Sequence, residues 1–178
     1  FGKPATTKFE DGRLRSKGHE DAGLEPTEAF LERLKLHTID GYDVRKQVLA
    51  LVADHLAPGH FHKSFLKGEK VSDGAFRRLA QRVEPELLYR VARADCLGRT
   101  GDFKPVAMEW FRERVNELAI SVKAPEPILQ GRHVLELGLQ PGPEVGRIIK
   151  AVYELQLDGQ VTSLAEAIAA AQKLVEVK

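Results

Sequence analysis

Cysteine is almost absent from the 178 residues: Cys96 stands alone. A lone thiol excludes an intrachain disulfide framework and favours a reducing compartment, so the cytoplasm is the expected location. Long apolar runs are missing too. No stretch approaches the roughly 18 residues that a helical membrane span requires, and the first residues carry no signal-peptide pattern, so no membrane partner is expected. Methionine occurs only at Met108 and not at position 1, which agrees with a chain that is part of a longer protein. Repeats and low-complexity segments are absent, and strand-like alternation is confined to one short N-terminal stretch.

What is present describes a globular domain: 43% hydrophobic and 30% charged residues, in a chain long enough to bury a sizeable core. The formal net charge of +1 hides an uneven distribution. Between His60 and Arg82 the chain carries Lys63, Lys67, Lys70, Arg77, Arg78 and Arg82 against Glu69 and Asp73. Such an excess is the footprint of a phosphate-rich partner, because cations that neutralise phosphates release condensed counterions. A solvated helix face has the same appearance.

Helical periodicity dominates. Asp11-Gly12 between short segments predicts a β-hairpin, since a type I′ turn needs positive φ at both central positions. From Glu20 the spacing of Ala22, Ala29, Phe30, Leu31 and Leu34 predicts a helix, and a second is expected over 42–57, ended by Pro58-Gly59 and followed by a polar loop through Lys70. Ser72 is placed to cap the next helix. Pro85 suits the first turn of another, over about 86–98, and a further helix begins near Pro105. Pro125 and Pro127 mark the best internal boundary, dividing a helical domain over 1–123 from a small helical module over 124–178. In the module, a helix over 143–157 follows a Gly- and Pro-rich turn, and Ser163-Leu164-Ala165-Glu166 reads as a capping box opening the last helix. The class is all-α.

Three residues are candidate metal ligands: His19, His55 at the end of an apolar helix face, and Asp95. A divalent metal that hydrolyses phosphoesters needs imidazoles and carboxylates converging from several helices. Each of the three has a plain alternative as a hydrogen-bonded core residue or an ion-pair partner of Arg93 or Arg99. In the module, Arg132, Gly142, Arg147 and Lys150 surround a turn that would let a nucleic-acid backbone approach, or that simply forms a helical corner.

The order of these elements resembles a known family. Gly2-Lys3-Pro4, Gly18-His19-Glu20-Asp21-Ala22-Gly23, Leu51-Val52-Ala53-Asp54-His55 and Arg93-Ala94-Asp95-Cys96-Leu97-Gly98-Arg99 are similar to the HD domain of the bacterial tRNA nucleotidyltransferase and poly(A) polymerase family. Pro127-Ile128-Leu129-Gln130-Gly131-Arg132 and the run from Leu139 to Ile149 look like that family's C-terminal signature. The resemblance implies an incomplete HD-type domain with a C-terminal RNA-binding module that holds tRNA or another RNA. It also implies that the nucleotide-adding chemistry belongs to an N-terminal domain whose motifs this sequence lacks, so the chain is expected not to add nucleotides. A His-Asp doublet would precede Phe1, and an intact site would take a divalent metal. The alternatives are a metal-dependent HD phosphohydrolase acting on phosphomonoesters or 2′,3′-cyclic phosphates, and a helical protein-interaction domain.

Overall fold

A computed structural model describes residues 1–99 and 101–176, and these form a mostly helical structure with a short N-terminal hairpin, as the periodicity predicts. After a single turn of helix, α1 (Lys3–Thr6), strands β1 (Lys8–Glu10) and β2 (Arg13–Arg15) pair antiparallel with Phe9 opposite Leu14. Asp11 at φ 51° and Gly12 at φ 75° supply the two left-handed conformations of the turn. The helix expected from Glu20 is instead two, α2 (His19–Ala22) and α3 (Leu24–Arg33). They part at Gly23, where a Cβ would meet the His19 carbonyl oxygen at 2.9 Å and the Val52 side chain at 3.1 Å.

A second hairpin, β3 (Thr38–Ile39) with β4 (Tyr42–Asp43), turns through Asp40-Gly41 with both residues at positive φ. Asp43 then caps α4 (Val44–Asp54) by accepting the Lys46 amide at 2.9 Å. Residues 60–66, expected in a loop, are helical: Pro58 sits in the first turn of α5 (Ala57–Leu66) and starts that helix. Proline fits there because first-turn amides have no intrahelical partner to lose. The Ser72 hydroxyl accepts the Ala75 amide at 3.2 Å and caps α6 (Asp73–Arg82). Next come α7 (Pro85–Leu97) and α8 (Val106–Glu117), then α9 (Gly131–Leu135), α10 (Pro143–Leu157) and α11 (Leu164–Glu176). The capping box of α11 forms in both directions, Glu166 N–H to Ser163 Oγ and Ser163 N–H to Glu166 Oε2. No helix among the described residues is long and apolar enough to cross a membrane.

The chain divides into two compact units: Phe1–Val71 with Ala80–Lys123, and Ser72–Leu79 with the chain from Ala124 onward. In the first, α8 packs on α5 and α7, and α4 on α3 and α7. Leu31, Leu88, Ala92, Phe111 and Val115 are buried. The leucines, Phe111 and Val115 each contribute about 1.5–3 kcal/mol by leaving water. In the second, Leu129, Val134, Ile148, Val152, Val161, Ala167 and Ala171 form one apolar cluster. A buried glutamine ties the entering segment to it: Gln156 Oε1 accepts the Ile128 amide at 2.9 Å, and its Nε2 donates to the Glu126 carbonyl at 2.8 Å.

Candidate functional site

The three candidate metal ligands line one cleft of about 470 Å³ in the first unit, together with Phe1, Gly2, Lys3, Val48, Leu51, Val52 and Val91. Gly2 makes the cleft possible. A Cβ there would lie 1.9 Å from the His19 carbonyl oxygen and 2.7 Å from the Gly23 nitrogen, so only glycine allows α1 to lie against α2. That approach brings Lys3 beside α7.

His19 and His55, 36 residues apart, meet with their Nε2 atoms 2.9 Å from each other. His19 Nδ1 lies 2.6 Å from the Ser16 carbonyl and His55 Nδ1 lies 2.8 Å from the Val52 carbonyl. A carbonyl can only accept, so both rings carry a proton on Nδ1 and direct Nε2 at one small volume. Two Nε2 lone pairs at this separation repel unless a proton or another cation lies between or beside them. The same tautomer, fixed by a carbonyl on the far nitrogen, is the usual state of a metal-ligating histidine. Nearby, Glu20 Oε2 is buried, 3.4 Å from His19 Nδ1, and makes no hydrogen bond among the described residues.

Asp95 faces the cleft in a different state. Lys3 Nζ donates to one carboxylate oxygen and Arg99 Nη2 to the other, each at 2.7 Å. Burial pushes the carboxyl up, but these two hydrogen bonds and charges outweigh it and hold the group at about 2. Both oxygens are thus committed to cations, and no group of three His, Cys, Asp or Glu side chains converges among the described residues. The residues present supply two imidazoles for a divalent metal. They do not supply the three protein ligands that a hydrolytic site requires. The role of Lys3 was not evident from the sequence, because its partner lies 92 positions away.

The basic residues separate into two groups. Arg78 donates to Glu154 and pairs with Asp158, each at 2.8 Å, and hydrogen bonds to these carboxylates hold its guanidinium above its usual range. Arg77 donates to the Leu157 carbonyl at 2.7 Å, Arg82 pairs with Asp54 at 2.9 Å, and Arg147 donates to Glu144 at 3.0 Å. These arginines serve internal contacts. Lys63, Lys70 and Lys150 are exposed and make no ion pair among the described residues, and Lys67 lies 3.6 Å from Glu69. Arg132 is exposed and donates to His133 at 3.1 Å. Gly142 is fully extended, and a Cβ there would meet nothing closer than 4.0 Å, so the turn does not depend on glycine at that position.

Over 169 residues the chain is 35% identical to the CC-adding tRNA nucleotidyltransferase of Thermus thermophilus, a match covering 93% of this chain and 36% of that protein. Over 185 residues it is 32% identical to the A-adding tRNA nucleotidyltransferase of Deinococcus radiodurans, covering 98% of this chain and 39% of that protein. The chain therefore spans well under half the length of the curated relatives it matches. No family model and no solved structure matches it.

Proposed function

From the relationship of almost this whole chain to a segment of the tRNA nucleotidyltransferases, we propose that it holds and orients tRNA for such an enzyme by gripping phosphates rather than reading bases. The observation that carries this reading is that both relatives are named for action on tRNA. Lysine chemistry supports it. Lys63, Lys67 and Lys70 follow one another on and just after α5 in the first unit, and Lys150 lies on α10 in the second. Flexible ammonium groups without strong internal partners are suited to phosphate contact, whereas Arg77, Arg78 and Arg82 would have to break ion pairs to serve. Recognition would then depend on the shape and charge of the RNA, as is usual for helical RNA. Nucleotide transfer itself is not assigned to this chain.

Fluorescence anisotropy of a labelled tRNA minihelix at several salt concentrations tests the reading. Binding that weakens steeply as salt rises supports it, and no binding at low salt removes it. A second reading, a metal-dependent phosphohydrolase, is favoured by the facing imidazoles of His19 and His55. It needs ligands beyond those that converge here.

A further inference from the structure

Helix α5 carries two phenylalanines one turn apart in different surroundings. Phe61 lies 6.5 Å, ring centre to ring centre, from Phe111, a core side chain with no exposed surface. Phe65, four residues on, is 51% exposed. Its ring packs on the Trp110 ring of α8 at 5.1 Å and 29°, and His62 completes the cluster at 5.3 Å from Trp110. Trp110 thus covers one side of Phe65, while half of the phenylalanine still meets solvent. Directly after α5, Gly68 at φ 75° turns the chain, and the Glu69 amide donates to the Ser64 carbonyl at 3.0 Å. That turn sets Glu69, Lys70 and Val71 beside the two rings and makes a groove of about 500 Å³, lined also by Arg114 and Glu117.

The rim of this groove carries both signs of charge. Arg114 is engaged by Glu117, and Lys67 lies 3.6 Å from Glu69. Lys70 makes no ion pair among the described residues, so the net excess is positive. An apolar occupant would strand these charges, and an acidic one would meet two carboxylates. A nucleobase suits all of them: its π-face stacks on aromatic rings, its edge offers donors to carboxylates, and its neighbouring phosphates accept from lysine.

We propose that the groove takes one unpaired nucleobase of an RNA strand, stacked against the Phe65 and Trp110 pair, with Lys70 and Lys67 on the phosphates that flank it. Such a site rests on RNA being the partner, as in the reading above, and adds a base contact to the phosphate contacts. Stacking uses a face that every base has, so it does not discriminate between sequences. It does select unpaired nucleotides, because a paired base is already stacked within its own helix.

Trp110 is the only tryptophan of the chain, so its emission reports on the groove without a label. The 178-residue chain is titrated with an oligoadenylate and with a strand of the same length and backbone that lacks the bases. The base-bearing strand should quench Trp110 and bind about tenfold more tightly than the abasic one, within the range expected for one stacked base. Phe65→Ala should remove about that factor while leaving the abasic strand and a fully paired minihelix unchanged. Phe65→Tyr, which keeps a ring, should retain it. Lys70→Gln, which leaves the rings in place, should weaken both single strands alike. Equal binding of the two strands overturns the proposal, as does a preference that survives Phe65→Ala. If the paired minihelix still binds with steep salt dependence in that case, only the base site falls and the phosphate-holding reading stands. A minihelix that does not bind, beside a single strand that binds with the base preference, removes the tRNA-holding reading and supports the site. Binding of neither strand overturns the site, and would leave a protein partner as the occupant of this face.

Discussion

Replacing Gln156 by Leu removes two hydrogen bonds between α10 and the segment that carries Pro125 to Gln130, leaving the one that Tyr153 Oη donates to the Pro125 carbonyl, while keeping a side chain of similar size. Gln156 is 9% exposed, accepts the Ile128 amide and donates to the Glu126 carbonyl. Each hydrogen bond contributes about 1 kcal/mol net, and a buried partner left unpaired costs about 1–3 kcal/mol more. Glu126 is exposed and its carbonyl can turn to water; Ile128 is half-buried and its amide is harder to satisfy. The structure therefore predicts a loss of about 2–3 kcal/mol, and Gln156→Glu, which keeps an acceptor for Ile128 but sets a buried carboxylate oxygen against the Glu126 carbonyl, should lose at least as much. Urea unfolding followed by far-UV circular dichroism measures both. A Leu variant within about 0.5 kcal/mol of the parent would refute this and show that the packing of Leu129 and Val152, with the Tyr153 hydrogen bond to the Pro125 carbonyl, orders the segment without the glutamine.

Asp95 makes stability sensitive to acid. Its carboxyl sits at about 2 in the folded chain against 3.8 ordinarily, so its contribution is present above about pH 4 and is lost as the pH falls toward 2. The gap corresponds to ~2.4 kcal/mol at full strength, and the half-exposed Lys3 and Arg99 reduce that to ~1 kcal/mol through solvent screening. Asp95→Asn should flatten the stability profile in that window, and an unchanged profile would refute the assignment. Calorimetric titration with Mn²⁺ should show weak binding, since two imidazoles and a committed carboxylate do not complete a site. Tight one-to-one binding abolished by His19→Ala would show that the site is complete. Arg78→Ala should lower the urea midpoint while leaving RNA affinity unchanged, because both its carboxylate partners lie within the chain. A selective loss of RNA affinity would place Arg78 on the binding surface.

Local signals were legible where the physics is local. Asp11-Gly12, the Ser72 cap and the Ser163–Glu166 box all act over four residues or fewer, and each forms as the residue types require. Asp40-Gly41 carries the same turn chemistry as Asp11-Gly12, but its flanking strands are two residues long, too short for alternation to register. Pro58 was ambiguous because proline both stops a preceding helix and suits the start of a new one. The site was harder to read. Neither the meeting of His19 with His55 nor that of Lys3 with Asp95 follows from spacing: the first comes from α2 packing on α4, where Gly23 lies close to Val52, and the second from Gly2 letting α1 lie against α2. The basic run overstated the free charge for the same reason: Glu154, Asp158 and Asp54, which engage Arg78 and Arg82, are 28 to 80 positions away.

The holding of tRNA by lysine and phosphate contact is tested most directly by the salt dependence of minihelix binding, measured by anisotropy for the parent chain and for Lys63→Gln, Lys67→Gln and Lys70→Gln combined. Each phosphate contact contributes roughly 0.7 to 0.9 to the slope of log K against log salt. The account predicts steep dependence for the parent, a slope flatter by roughly 2 to 3 in the triple variant, and little change in discrimination between tRNA sequences. A parent that does not bind, or a triple variant with the parent's affinity and slope, would contradict it.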